Sequence, residues 1–505
     1  MRLSKMLLPT VKDAPKGVTD PTVVRLLRAG AVTADPRGKN LGLLPMGVTL
    51  WAHMASRTAE RALEAGFQPV DIRPLNGSVL PLAGRLVKSY RHLPLTFILN
   101  DLRECSAAGL APDADTLNKM TDLFLDLPGP LFEGLDVLEG EGVSDAVPVR
   151  YRALRAPAGS WLSFDGMACT ACSWCGDASA PVAEPAPDET AEPGPLENVE
   201  TPGADTIMEL CRQLDIPPEI TLKTMFYAAE TGKGKEILAV LVRGHHQINE
   251  EKLATVLEGA QVRFADPLEI REAVGDLAGY LGPVGLPKNV RIIADRHVEG
   301  GRGFVVGANK PGFHTRNACW GRDFKASLTA DLISMESGFV CPRCGAPLQE
   351  TGLVKTAETT KLPVETDLAF QDESGANRNA MLWTGKISMD AVVLSAAPQE
   401  GPMRRASSPW DVNMLIASMK NEDAVKLGET LQGDLARAGF RVLLDDRNER
   451  AGSKFSDAEL LGLPVTLVAG RGAAEGKLEL WKPDGSRDEI TTAQALNTVK
   501  EALQA

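Results

Sequence analysis

The chain has 505 residues, enough for about three domains, and its 44% apolar and 24% charged residues are the balance of an ordinary globular protein. A net charge of −13 excludes a general polyanion binder; any nucleic-acid contact has to come from local Lys/Arg patches, and DNA is not an expected partner. No apolar run approaches bilayer-spanning length, and the apolar part of "MRLSKMLLPT" is too short for a secretory leader, so the expected compartment is the cytoplasm, without membrane association.

In chain order, the first strong pattern is an apolar periodicity over 50–65, which predicts an amphipathic helix leading through Gly66 into an extended run that ends at Pro74. The stretch "DASAPVAEPAPDETAEPGPLENVETPG" is rich in Pro, Ala and Glu and reads as an acidic linker, placed at 177–197. From Asn198 to Leu332 helical and strand-like runs alternate. "TIMELCRQL" puts Ile207, Leu210 and Leu214 on one helical face, "EILAVLVRG" and "NVRIIAD" are strands rich in β-branched residues, and "FVVGAN" ends in a turn. These make a compact α/β domain of about 135 residues. From Trp410, alternating strands and helices predict a mixed or parallel sheet with helices outside.

Five of the eight cysteines sit in short-spaced groups, "CTACSWC" and "CPRCG". The tight turn of the second group aims two thiolates at one tetrahedral ion. Cys169 and Cys172, with Cys341 and Cys344, flank the 198–332 domain and could meet in space, either around a structural zinc or as reduced free thiols. Cys105, Cys211 and Cys319 read as plain core or surface thiols.

The blocks "TLKTMFY", "LVRGHHQIN", "LGPVGLP", "IIADRHV", "GANKPGFH" and "WGRDF" resemble, in order and at the same spacing, the insertion (editing) domain of bacterial-type prolyl-tRNA synthetases. In that family the domain hydrolyses alanine wrongly attached to proline tRNA. The resemblance implies an editing pocket formed by Lys223, His314, Asp295, Gly307 and Gly312. Lys223 would hold the anionic tRNA 3′ end, the alternative being a snorkelling surface lysine. His314 would lie near the aminoacyl group, the alternative being a structural histidine. Asp295 would orient neighbours or cap a turn, and the two glycines would let backbone approach a ligand closely. His245 stands where the family commonly has Asp.

The flanking sequence resembles the rest of a class II synthetase with its aminoacylation motifs degenerate. The 50–65 helix matches motif 1, which builds the family's dimer interface. After Pro74 roughly 50 family residues are missing, an estimate resting on the resemblance. Motif 2 is read in "DLRECSAAGLAPDADTLNKM", where Arg103 is a weak remnant and Asp113, Asp115 and Thr116 stand at the second, cationic cluster. At motif 3, Met389 or Asp390 of "TGKISMDAVVLS" replaces the arginine that stacks on adenine. A triphosphate needs fixed cationic donors, so ATP is not an expected cofactor. The C-terminal "LLDDRNERAGSKF" resembles the anticodon-binding loop and implies tRNA contacts from Arg447, Arg450, Lys454 and Phe455, against a reading as helix-cap and surface charges.

The expected architecture is α/β and α+β multidomain: a class II-like antiparallel-sheet core at 1–176 and 336–408, the linker, an α/β editing-like domain at 198–335, and an α/β anticodon-binding-like domain at 409–505. The expected function is hydrolysis of mischarged, alanyl, proline tRNA in trans. The alternatives are a non-catalytic tRNA-binding or regulatory partner of a true synthetase, and a divergent proline–tRNA ligase. A homodimer, or a heterodimer with a true synthetase, is expected through motif 1.

Overall fold

A computed structural model describes residues 1–13, 18–35, 41–70, 87, 89–156, 160–183, 193–232, 234–275, 280–362 and 369–504. The run after Pro74 at which the resemblance places the missing stretch, and residues 184–192 of the linker, lie outside the described residues. The chain divides into two compact units: Met1–Val137 with Tyr151–Phe164 and Gly352–Ala505, and Leu138–Arg150 with Asp165–Thr351.

In the first unit, strands Leu95–Asn100 and Glu104–Ala111 form a hairpin, Leu95 opposite Leu110 and Asn100 opposite Cys105. Strand Met381–Ser388 adds antiparallel to Glu104–Ala111, and Ala357 to Leu362 pair antiparallel with its other edge. Alternation puts Cys105, Ala107, Ala111, Trp383 and Ile387 on one face, in a core shared with several helices. Helix Pro45–Glu64 contributes Leu50, Trp51 and Met54 at helical spacing and starts on a proline at its first turn. Helices Ala114–Leu125 and Met389–Ala396 contribute Leu117, Phe124, Val392 and Val393.

The C-terminal part of this unit is a five-stranded mixed sheet. Val412–Ile416 lies between Val442–Asp445 and Val465–Ala469, parallel to both, and Lys477–Trp481 and Arg487–Thr491 complete it antiparallel. Helices Glu422–Arg437 and Ala495–Ala502 pack on it through Leu431, Leu435, Ala495 and Val499.

In the second unit a five-stranded sheet runs in the order Gln261–Phe264, Leu222–Thr231, Gly234–Arg243, Arg291–Asp295, Leu328–Ala330. Its first two pairings are antiparallel and its last two parallel. A three-stranded antiparallel sheet joins Glu197–Glu200, Phe313–Ala318 and Phe304–Gly307. Ala180 and Val182, inside the stretch read as linker from its composition, are fully buried beside Trp174 and Ile333. No helix among the described residues is long and apolar enough to cross a membrane.

Candidate active site

Strand Leu222–Thr231 alternates its side chains, so Lys223, Met225 and Tyr227 share one face. Helix Ile207–Leu214 starts on a reciprocal cap between Thr206 and Glu209, the device that "T-x-x-E" encodes. With strand Phe313–Ala318 these elements surround a cavity of ≈ 900 Å³ whose lining includes Ile207, Leu210, Lys223, Tyr227, His245 and His314. Lys223 and His314, 91 positions apart in the chain (314 − 223), therefore share one site.

Lys223 is half-buried, and its ammonium donates to the His246 carbonyl at 2.9 Å. Burial lowers its pKa, against the pull of Glu336. An ammonium has three N–H donors, so with respect to the described residues two are left for a ligand in the cavity. Nδ1 of His314 lies 2.6 Å from the Thr201 hydroxyl. The ring also meets Tyr280 edge-on, with centroids 5.6 Å apart, and the Tyr280 hydroxyl donates to Asp205 at 3.0 Å. Burial lowers the His314 pKa, so the imidazole is neutral at pH 7. With Nδ1 engaged, Nε2 is the nitrogen left for a substrate. Thr201 is itself fully buried, so its hydroxyl orients the ring rather than meeting the substrate.

Asp295 does not line the cavity. It is fully buried: Oδ1 accepts from the His297 N–H at 2.9 Å and faces His297 Nδ1 at 2.7 Å, and Oδ2 accepts from the Leu332 N–H at 2.8 Å. Burial opposes its charge, but His297 and these N–H donors hold its pKa below the usual carboxylate range. Its role is the turn cap. The resemblance points to ligand approach at two glycines: Gly307 lines the cavity and Gly312 does not, and the structure gives each a further reason. A Cβ on Gly307 would sit 2.5 Å from the carbonyl oxygens of Tyr280 and Leu281, so the close neighbour is the protein's own backbone. Asn309 pins that crossing, accepting from the Gly282 N–H at 2.8 Å and donating to the Val284 carbonyl at 2.6 Å. Gly312 has open space around it and is required by its φ of +76° in the turn before His314.

Residues 201–324 match the family model of the aminoacyl-tRNA editing domain, and residues 411–502 match that of the anticodon binding domain. A proline–tRNA ligase of Listeria innocua is 33% identical over 320 residues, 60% of this chain and 55% of that protein. Over that match the chain spans about half the length of its relative. A proline–tRNA ligase of Thermoanaerobacter pseudethanolicus is 27% identical over 577 residues, covering 100% of both chains. The chain is prolyl-tRNA synthetase-like. It carries an editing domain and an anticodon-binding domain. A crystal structure of prolyl-tRNA synthetase from Cryptosporidium parvum, complexed with halofuginone and AMPPNP, matches 96% of this chain and 77% of its own, with a TM-score of 0.49 at 10% identity.

The residues that the resemblance reads as motif 2 and motif 3 positions make internal contacts. Placing the second motif 2 cluster at 113–116 is corrected by the structure. That stretch starts a helix, with Asp113 capping the Thr116 N–H at 2.8 Å and Asp115 paired with Lys119 at 2.6 Å. The strand that follows the hairpin turn is Glu104–Ala111, and it contains no Arg or Lys. Met389 is fully buried in the core. Asp390 accepts from the Trp51 indole at 2.6 Å and from Arg103 at 2.8 Å, and Arg103 also donates to the Leu41 carbonyl at 2.7 Å. Arg103 thus anchors the start of helix Met389–Ala396.

The anticodon-loop residues separate in the same way. Lys454 is fully buried and donates to the Ile416 carbonyl at 2.7 Å and the Asp445 carbonyl at 3.3 Å. Its pKa is lowered by burial, against the attraction of Asp445. Arg447 is held by Asp445 at 2.7 Å and Asp457 at 2.8 Å. Phe455 packs on Trp481 with ring centroids 5.8 Å apart. Of the four, Arg450 alone is exposed. Lys454 is therefore corrected from a tRNA contact to an internal tie between sheet and helix.

The four cysteines do converge. Cys169 and Cys344 are 3.5 Å apart at sulfur, Cys172 and Cys344 3.6 Å, and Cys172 and Cys341 3.8 Å. A bonded disulfide would be near 2.05 Å, whereas four thiolates ~2.3 Å from one tetrahedral zinc lie ~3.8 Å from each other. The set fits zinc, and zinc there would crosslink the two cysteine turns without taking part in chemistry.

Proposed function

We propose that the editing domain hydrolyses an aminoacyl ester on proline tRNA, alanine first, and that the synthetase core does not activate proline. The observation that carries this reading is the single cavity lined by both Lys223 and His314. The Lys223 ammonium suits a phosphate of the tRNA 3′ end as a point charge. Neutral His314 suits the ordering of a water through Nε2. That water attacks the ester carbonyl, the bond from carbonyl carbon to ribose oxygen breaks, and the ribose oxygen takes a proton. Free amino acid and tRNA with a free hydroxyl are the products. Ile207 and Leu210 in the wall offer a small apolar side chain its place.

Lys223→Ala is expected to raise KM for alanyl-tRNA roughly 10-fold, the loss of a charged hydrogen bond. His314→Ala should lower kcat about 100-fold. Because burial depresses the His314 pKa, wild-type kcat should hold below pH 6.5 instead of falling there. Steady-state deacylation kinetics across pH read all three, and variants that match wild type would remove both residues from the mechanism.

The anticodon-binding domain supports tRNA as the partner. Val48 and Leu63, exposed on helix Pro45–Glu64, support pairing through that helix with a second copy or with a true synthetase. We include a structural zinc on Cys169, Cys172, Cys341 and Cys344. A second reading, a divergent proline–tRNA ligase, is favoured by the similarity to the Thermoanaerobacter ligase over the full length of both chains. Proline-dependent pyrophosphate exchange separates the two.

A further inference from the structure

We propose that Phe264 is a stacking platform for an unpaired base of the tRNA 3′ end, an inference that rests on the hydrolase reading of the cavity it borders. Phe264 ends the edge strand Gln261–Phe264, directly opposite Tyr227. The two rings are stacked, with centroids 4.6 Å apart and planes 26° from parallel. Tyr227 is 1% exposed and Phe264 is 55% exposed. One face of the Phe264 ring is fixed by a buried aromatic, and the ring is open to solvent.

A single exposed apolar residue needs no explanation, but this one has a setting. Phe264 lines the same cavity as Lys223 and His314. Met208, 66% exposed, lines it too, and Leu268, 62% exposed, lies four residues beyond Phe264. Tyr227 is four residues along the strand from Lys223 and on the same face, which sets the platform ~14 Å from the lysine at ~3.4 Å per residue. That distance suits a short single strand whose terminal ester sits at Lys223 and His314. A tRNA 3′ end is single-stranded, and unstacked bases bind exposed aromatic rings. Such stacking tolerates any base, so it gives hold without dictating which amino acid is removed.

The test uses the full chain with Phe264→Leu and Phe264→Trp. Phe264→Leu is expected to raise KM for alanyl-tRNA roughly 5- to 160-fold, the range of base–aromatic stacking, with kcat little changed. Phe264→Trp should retain the wild-type KM. In the second arm, the Phe264→Trp fluorescence, read over the background of the seven native tryptophans, should be quenched by an acceptor-stem hairpin ending in CCA. The same hairpin lacking those three nucleotides should not quench it. An unchanged KM in Phe264→Leu, or equal quenching by both hairpins, overturns the platform. Wild-type inactivity toward alanyl-tRNA would sink the hydrolase reading, and the fluorescence difference would still decide the platform.

Discussion

Incubated with proline, ATP and labelled pyrophosphate, the protein is expected to give no proline-dependent exchange above the enzyme-free level. Adenylate formation needs cations fixed on the triphosphate. Three places that would supply them are otherwise engaged. Met389 is buried in the core. Arg103 is held by Asp390 and the Leu41 carbonyl. Strand Glu104–Ala111 carries no cation, and the lysine across from it, Lys386, pairs with Glu104 at 2.7 Å. Losing one preorganised donor of transition-state charge typically costs about 10²–10³ in rate, and the reading of motifs 2 and 3 as degenerate removes several together. Met389→Arg alone should not restore exchange, because Asp390 and Arg103 still bond each other. Exchange that depends on proline and saturates with it would establish the ligase reading instead.

Protein purified without chelator should carry about one zinc per chain, and Cys341→Ser with Cys344→Ser should abolish it. The four sulfurs are spaced for one ion, and the turns that carry them rest on Met167, Trp174, Val182, Ile333 and Phe339. Metal bound only by the folded arrangement adds its binding free energy to folding, on the order of 10 kcal/mol for structural zinc. Chelation or the double substitution should therefore unfold this unit at lower temperature or denaturant, and the native thermal transition should return when zinc is restored to the chelated wild type. Substoichiometric zinc, with an unchanged melt in the double variant, would show the cysteines to be reduced thiols that merely pack together.

Much of the architecture was legible because it follows from local patterns. The apolar spacing of Ile207, Leu210 and Leu214, the β-branched runs at Gly234–Arg243 and Arg291–Asp295, and the paired cysteine turns each encode their geometry within a few residues. What was not legible depends on partners distant in sequence. Nothing near Thr201 in the sequence names His314 as its partner. Lys454 reads as a tRNA contact or a surface charge in the loop "LLDDRNERAGSKF", yet Ile416 and Asp445 supply it with carbonyls inside the domain. Asp113 reads as a lost cation site, and its position one residue before a helix makes it a cap. Asp177–Val182 reads as linker by composition, but Ser179 bonds the Val143 backbone and Val182 is buried. In each case the residue type was visible and its partner was not.

The most direct test of the central claim is the decay of alanyl-tRNA and prolyl-tRNA, both made on proline tRNA, with purified protein present in catalytic amount. The prediction is hydrolysis of the alanyl ester well above its spontaneous rate, lost in Lys223→Ala with His314→Ala, and a prolyl ester left close to its rate in buffer. An alanyl ester as stable with the protein as without it, under conditions where the tRNA is shown to bind, would contradict it.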